Sequence, residues 1–158
     1  MLTAHLPSGY CLGKLSRFHG WTFAAAVLGS VLPDADLLFF YFIDQKAIHH
    51  HRYWMHIPLF WAVIAGVALS LLWNSRFKQV AIAFFAAIFL HLILDSVGGG
   101  IMWLAPFNTE LWALVAIPPR YPHWVLSFLL HWTILIEVLI WAWAVYFFLK
   151  QRRYCAAR

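Results

Sequence analysis

His5, Asp34, Asp36, His56, His91 and Asp95 stand at intervals in a chain otherwise dominated by apolar residues. Imidazole nitrogens and carboxylate oxygens are ligands for divalent transition ions, and ionisable groups at membrane depth face one another, water or a metal rather than lipid. His91 and Asp95 are spaced i, i+4, so on a helix both point from one face, about 6 Å apart along the axis. The bland reading of that pair is a structural hydrogen bond between a buried histidine and a carboxylate. Asp34 and Asp36 follow Pro33 with Ala35 between them, and in extended backbone both carboxylates point the same way, toward one cation or two. A helix starting at Leu37 accounts for one of them as its N-cap and leaves the other unexplained. The stretch His49-His50-His51-Arg52-Tyr53-Trp54-Met55-His56 surrounds an arginine with imidazoles, and a guanidinium is a planar fork suited to phosphate or carboxylate. Within it, His49 and His50 read most simply as solvated, adventitious metal binders.

Membrane helices must position these groups. Of 158 residues, 64% are hydrophobic, 19% aromatic and only 11% charged, whereas soluble domains carry roughly 25% charged residues. The chain is therefore expected to be a single integral membrane domain over 1–158, an all-α polytopic bundle. At roughly 20 residues per crossing, about four transmembrane helices are expected, over 21–43, 57–73, 80–97 and 124–149, plus an interfacial segment. Pro33 breaks the first of these and pushes Leu32 out of helical geometry. Pro58 sits in the first turn of the second, where its missing N–H costs little. His91 and Asp95 lie near the far end of the third, and His131 and Glu137 lie inside the fourth. Gly98-Gly99-Gly100 with Pro106, Pro118, Pro119 and Pro122 predicts an irregular connection. Trp103, Trp112, Tyr121 and Trp124 are expected as interfacial anchors. That connection reads either as a lid or acyl groove over the site or as an amphipathic interfacial helix.

Lysines and arginines set the orientation. Arg76 and Lys78 in one turn, Lys150, Arg152 and Arg153 in the tail, and Lys14 and Arg17 before the first span put those ends in the cytoplasm, against a weaker set of Lys46, Arg52 and Arg120. Asp34, Asp36, His56 and Asp95 then converge at the outer face. His5 reaches them by a re-entrant bend at Pro7-Ser8-Gly9, by a partial crossing of residues 1–18, or from a terminus lying outside; the sequence leaves these open. The net charge of +5 serves topology and contact with anionic headgroups, so nucleic acid is not expected as a partner. Cys11 and Cys155 have no metal or redox spacing and read as free thiols.

An ordered set of motifs, His5, Leu32-Pro33-Asp34-Ala35-Asp36, His51-Arg52 followed by His56, and His91-Leu92-Ile93-Leu94-Asp95 followed by Gly98-Gly99 and Pro106, resembles the membrane-bound metal-dependent hydrolase family that includes inner-membrane proteins described as LexA-binding. The match runs in order over about two thirds of the chain. No single piece is specific, but the ordered set is. The family's threonine and serine around the second histidine are replaced here by Met55 and Ile57, which removes two hydroxyls. The family's hydrolase label rests on a more distant likeness to zinc-dependent phospholipase C.

The resemblance implies a bacterial inner-membrane, multi-pass hydrolase with its site toward the periplasmic face. His5, Asp34, Asp36, His56, His91 and Asp95 would be the metal ligands, Arg52 would clamp a substrate phosphate, and His51 would be a further ligand or a proton donor. A mixed nitrogen and oxygen set favours one to three zinc ions, with manganese or iron as alternatives. A membrane lipid phosphoester, cleaved by metal-activated water, is the expected substrate. The competing expectation is a non-catalytic protein that binds or transports a metal, with His131 and Glu137 as features of a pathway.

Overall fold

Pro7 occupies the first turn of a helix, where backbone nitrogens have no intrahelical acceptor, and α1 (His5–Leu15) runs unbroken through Ser8 and Gly9. A bend at Pro7-Ser8-Gly9 is therefore not how His5 is delivered: it is simply the first residue of a regular helix. The structure is a computed structural model that describes residues 3–156, with side chains to residue 153. After α1 come α2 (Gly20–Gly29), a 3-10 turn (Pro33–Asp36), α3 (Leu37–Phe42), two further 3-10 turns (His50–Arg52 and Trp54–His56), α4 (Pro58–Leu72), α5 (Lys78–Asp95), α6 (Trp124–Leu129) and α7 (Ile134–Ala156). Among the described residues there is no strand, only an isolated antiparallel bridge between Ile101 and Trp112. The fold is all-α.

Two helices, Lys78–Asp95 and Ile134–Arg153, are long and apolar enough to cross a membrane. A third crossing is added if α2 and the Pro33–Phe42 segment, bent by 47° to each other, act as one broken span. The break falls at Pro33, as its lost donor and steric demand require. The expected second span corresponds to α4, whose 15 residues rise about 22 Å, so among the described residues two or three crossings are shown and a fourth is not. The expected fourth span over 124–149 is also interrupted. His131 Nδ1 contacts Thr133 Oγ1 at 3.0 Å and accepts from the Thr133 N–H at 3.4 Å. Such local side-chain bonds offer the backbone an alternative to the helical ladder, and α6 ends before α7 begins.

α5 is the central element. α2 packs most extensively on it, α4 covers another side, and α1 wedges between α2 and α7. Its apolar seam with α4 is the core cluster of Met55, Trp61, Ala65, Phe85, Ile88 and Leu92, capped where the Trp61 indole donates to the Met55 carbonyl at 2.7 Å. Large apolar side chains elsewhere point outward, Leu71, Phe42 and Leu135 among them, as expected of a surface solvated by acyl chains. Segment 98–122 contains no helix, so it is not an amphipathic interfacial helix. It folds back on the end of α5 through the Trp103 indole donating to Ser96 Oγ at 2.7 Å and the Leu114 N–H donating to the Ser96 carbonyl at 2.6 Å.

Helix directions separate the charges. Lys14, Arg17, Arg76, Lys78, Lys150, Arg152 and Arg153 lie toward one end of the bundle, tied together where Lys14 Nζ donates to Gln151 Oε1 at 2.5 Å. Asp34, Asp36, Asp44, Asp95, Glu110 and Glu137 all lie toward the other.

Candidate metal centre

Asp95, at the last turn of α5, is the hub. Its Oδ1 lies 3.0 Å from His5 Nε2, while its Oδ2 lies 3.0 Å from His91 Nε2, 3.4 Å from His56 Nε2 and 3.6 Å from His51 Nε2. His56 and His91 are 0% exposed and Asp95 is 1% exposed. Burying a carboxylate among imidazoles is costly unless charges are matched, so this end of the bundle is built around a polar centre.

The imidazoles are held from behind. His91 Nδ1 lies 2.8 Å from the Ser30 carbonyl, His51 Nδ1 lies 2.8 Å from the Gly100 carbonyl, and His56 Nδ1 lies 2.5 Å from Asp36 Oδ2. A carbonyl or carboxylate only accepts, so each Nδ1 carries a proton and each Nε2 is the nitrogen that faces inward. This is how metal-binding histidines are oriented by their outer partners. His91 Nε2 and His56 Nε2 face each other at 3.4 Å, an arrangement of two lone pairs that is relieved by a cation or by a proton. His5 stacks on His91 with ring centroids 3.7 Å apart.

The ligand atoms fall into two groups, each with all atoms within 4.8 Å of one another: His5, Asp34, His91 and Asp95; and His50, His51 and His56. Asp34 Oδ1 is 3.7 Å from His91 Nε2 and 3.9 Å from His56 Nε2, so it bridges the groups. Its side chain is 31% exposed, which makes it the member through which the centre meets the outside. Asp36 stands one step back: Oδ2 is on the outer nitrogen of His56, and its buried Oδ1 has no hydrogen-bond partner among the described residues. An orphaned carboxylate oxygen beside inward-facing imidazoles fits a centre that takes a divalent cation.

Protonation follows the same geometry. Burial opposes charge on His56, but hydrogen bonds and charges from Asp36 and Asp95 outweigh it and raise its pKa to about 9. Burial pushes His51 down to about 2, helped by His50 and His56 against the pull of Asp95. Burial, then His56 and His49, lower His50 to about 3.

The structure thus brings together His5, Asp34, His56, His91 and Asp95, with Asp36 and His51 in direct contact with members of the set. Arg52 is not drawn in. Its side chain is exposed, and among the described residues it makes no side-chain hydrogen bond or ion pair. His50, read as adventitious from the sequence, belongs to the second ligand group, and its adjacency to His51 was the available signal. The backbone carbonyls of Ser30 and Gly100 left no mark in residue type. His131 contacts Thr133, and Glu137 Oε2 accepts from the Thr3 N–H at 2.9 Å and from Thr3 Oγ1 at 2.7 Å.

Glu137 tethers the segment leading into His5, which suggests a position-sensitive experiment. Glu137→Ala is expected to weaken metal affinity by less than the about 10- to 100-fold that follows loss of a direct partner of a ligand, because its bonds are to Thr3, as measured by competitive metal titration. Glu137→Gln, which keeps an acceptor, should lose less.

The sequence matches the model of a family described as YdjM inner membrane protein over residues 2–154. No curated protein and no solved structure matches the chain.

Proposed function

The chain belongs to the YdjM inner membrane protein family, and from that premise together with the buried centre we propose that it is a membrane-embedded metal-dependent hydrolase acting on a lipid phosphoester. The observation that carries the reading is Asp95, with four imidazole nitrogens within 3.6 Å of one buried carboxylate. His5, Asp34, His91 and Asp95 would hold one divalent ion, and His50, His51 and His56 a second. Zinc suits the nitrogen-rich set best, with manganese or iron as alternatives. Bound there, the metal would supply a Lewis acid and water acidified toward neutral pH.

The residues divide the remaining work. Ser30, Gly100 and Asp36 fix the three imidazoles in the tautomer that presents Nε2. Asp34, half-buried at the opening, is placed to receive a proton from an incoming water. His51 is a ligand rather than a proton donor, because its Nδ1 proton is committed to the Gly100 carbonyl and burial disfavours a second proton. Arg52 shares the turn of His51 and presents an uncommitted guanidinium, suited to grip a substrate phosphate as it arrives. The weight of Lys and Arg at the opposite end supports a site facing the periplasm. A lipid is the natural substrate for a polar centre at headgroup depth.

Elemental analysis of detergent-purified protein that has never met a chelator should return one to three metal equivalents, falling in Asp36→Ala and His91→Ala. Release of phosphate or headgroup from phospholipids or polyprenyl phosphates should then depend on that metal. Wild-type protein free of metal would end the hydrolase reading; metal without turnover on any such lipid would leave a binding protein.

A further inference from the structure

At the basic end, far from the metal centre, α1, α2 and α7 enclose a cavity of about 840 Å³ lined by Lys14, His19, Gln151 and Arg152 with Tyr10, Phe23 and Phe148. It opens into an apolar groove of about 430 Å³ that runs along α1 toward Leu6 and Trp141. Tyr10, Phe23 and Phe148 line both. We propose that this pair of spaces is a binding site for an anionic phospholipid, with its phosphate between Lys14 and Arg152 and an acyl chain in the groove.

The charge is complementary and unopposed. No acidic residue lines either space, and the chain's acids lie toward the other end of the bundle. The cations are placed by aromatic rings: Lys14 Nζ sits 4.9 Å from the Phe23 ring centre and 5.3 Å from that of Tyr10, and the Arg152 guanidinium sits 5.6 Å from that of Phe148. Lys14 Nζ also donates to Gln151 Oε1, within the same lining, at 2.5 Å. At the junction of the two spaces, the Tyr10 hydroxyl is buried and has no hydrogen-bond partner among the described residues. The groove beyond is almost wholly apolar, lined by Leu6, Val27, Ala144 and Val145, so it accepts hydrocarbon and not a second headgroup. The site does not depend on the metal centre.

Native mass spectrometry of the detergent-purified full chain, titrated with phosphatidylglycerol and phosphatidylcholine of equal chain length, tests this. Phosphatidylglycerol should be retained at least about tenfold over phosphatidylcholine, and Lys14→Ala and Arg152→Ala should each cut that preference about fivefold, the usual weight of one interfacial cation. Arg76→Ala, which removes a cation at the same end outside the cavity, should leave the preference intact. Glycerol phosphate alone should not compete at concentrations where the lipid saturates. Equal retention of the two lipids by the wild type, an equal loss in Arg76→Ala, or full competition by glycerol phosphate would each overturn the proposal.

Discussion

Asp95→Asn is expected to strip the centre while leaving the protein folded. The carboxamide has the carboxylate's shape, so α5 and its seam with α4 are undisturbed. It lacks the negative charge that faces His5, His51, His56 and His91, and it can turn N–H donors toward nitrogens that need a cation. Metal content should drop below roughly a tenth of wild type, beyond the about 100-fold loss in affinity that marks an outer partner. Lipid phosphoester hydrolysis should fall with it. Helical circular dichroism and the gel-filtration volume in detergent should stay as in the wild type. Full metal retention in the folded variant would remove Asp95 from the ligand set and with it the basis of the hydrolase reading.

Gly29→Ala is expected to be among the most damaging single-methyl changes in the chain. A Cβ at Gly29 would fall on the Phe84 carbonyl oxygen of α5, with the Phe84 carbonyl carbon 3.1 Å and the Ala87 Cβ 3.2 Å away. Backbone cannot swing aside as a side chain can, so the helices must separate, at a cost of about 1–3 kcal/mol for overpacking. That corresponds to a drop of roughly 3–10 °C in the thermal midpoint of a domain this size. Gly66, on the exposed side of α4, has nothing within 4 Å of where its Cβ would be, and Gly66→Ala should hold or slightly raise the midpoint through helix propensity. Because Ser30 follows Gly29 and its carbonyl orients His91, the Gly29 variant should also bind metal more weakly. A midpoint equal in the two variants would show that α2 and α5 approach less closely than described.

Much of the centre was legible because membrane burial makes polar residues conspicuous. His91 and Asp95 were placed on one helical face by spacing alone, and Pro33 announced the turn that aims Asp34 and Asp36. His5 was visible as a polar residue but not as the first residue of a helix, since Pro7, Gly9 and Gly13 look disruptive in sequence. They are tolerated because Pro7 falls where no donor is required and because α1 is crowded by neighbours on several sides. Asp36 looked like a direct ligand by its resemblance to Asp34; only the side-chain geometry puts it behind His56. The break between α6 and α7 was hidden in an apolar run, where His131 and Thr133 tip the local balance. Four crossings were read from apolar run length; the break at Pro33 and the bounds of α4 were legible, but α4 has only 15 residues and whether the bent first run crosses as one span is not set by run length.

The way His5 is held sets the order in which the protein can mature. One ligand group needs His5, Asp34, His91 and Asp95 together, so no nascent chain can close that group before α5 has emerged. The segment leading into His5 is further secured by Glu137 of α7, which follows α5 in the chain. A metal bound at that group would therefore be loaded late in biogenesis. A chain arrested between α5 and α7 should expose a half-anchored centre, open to capture by the wrong ion.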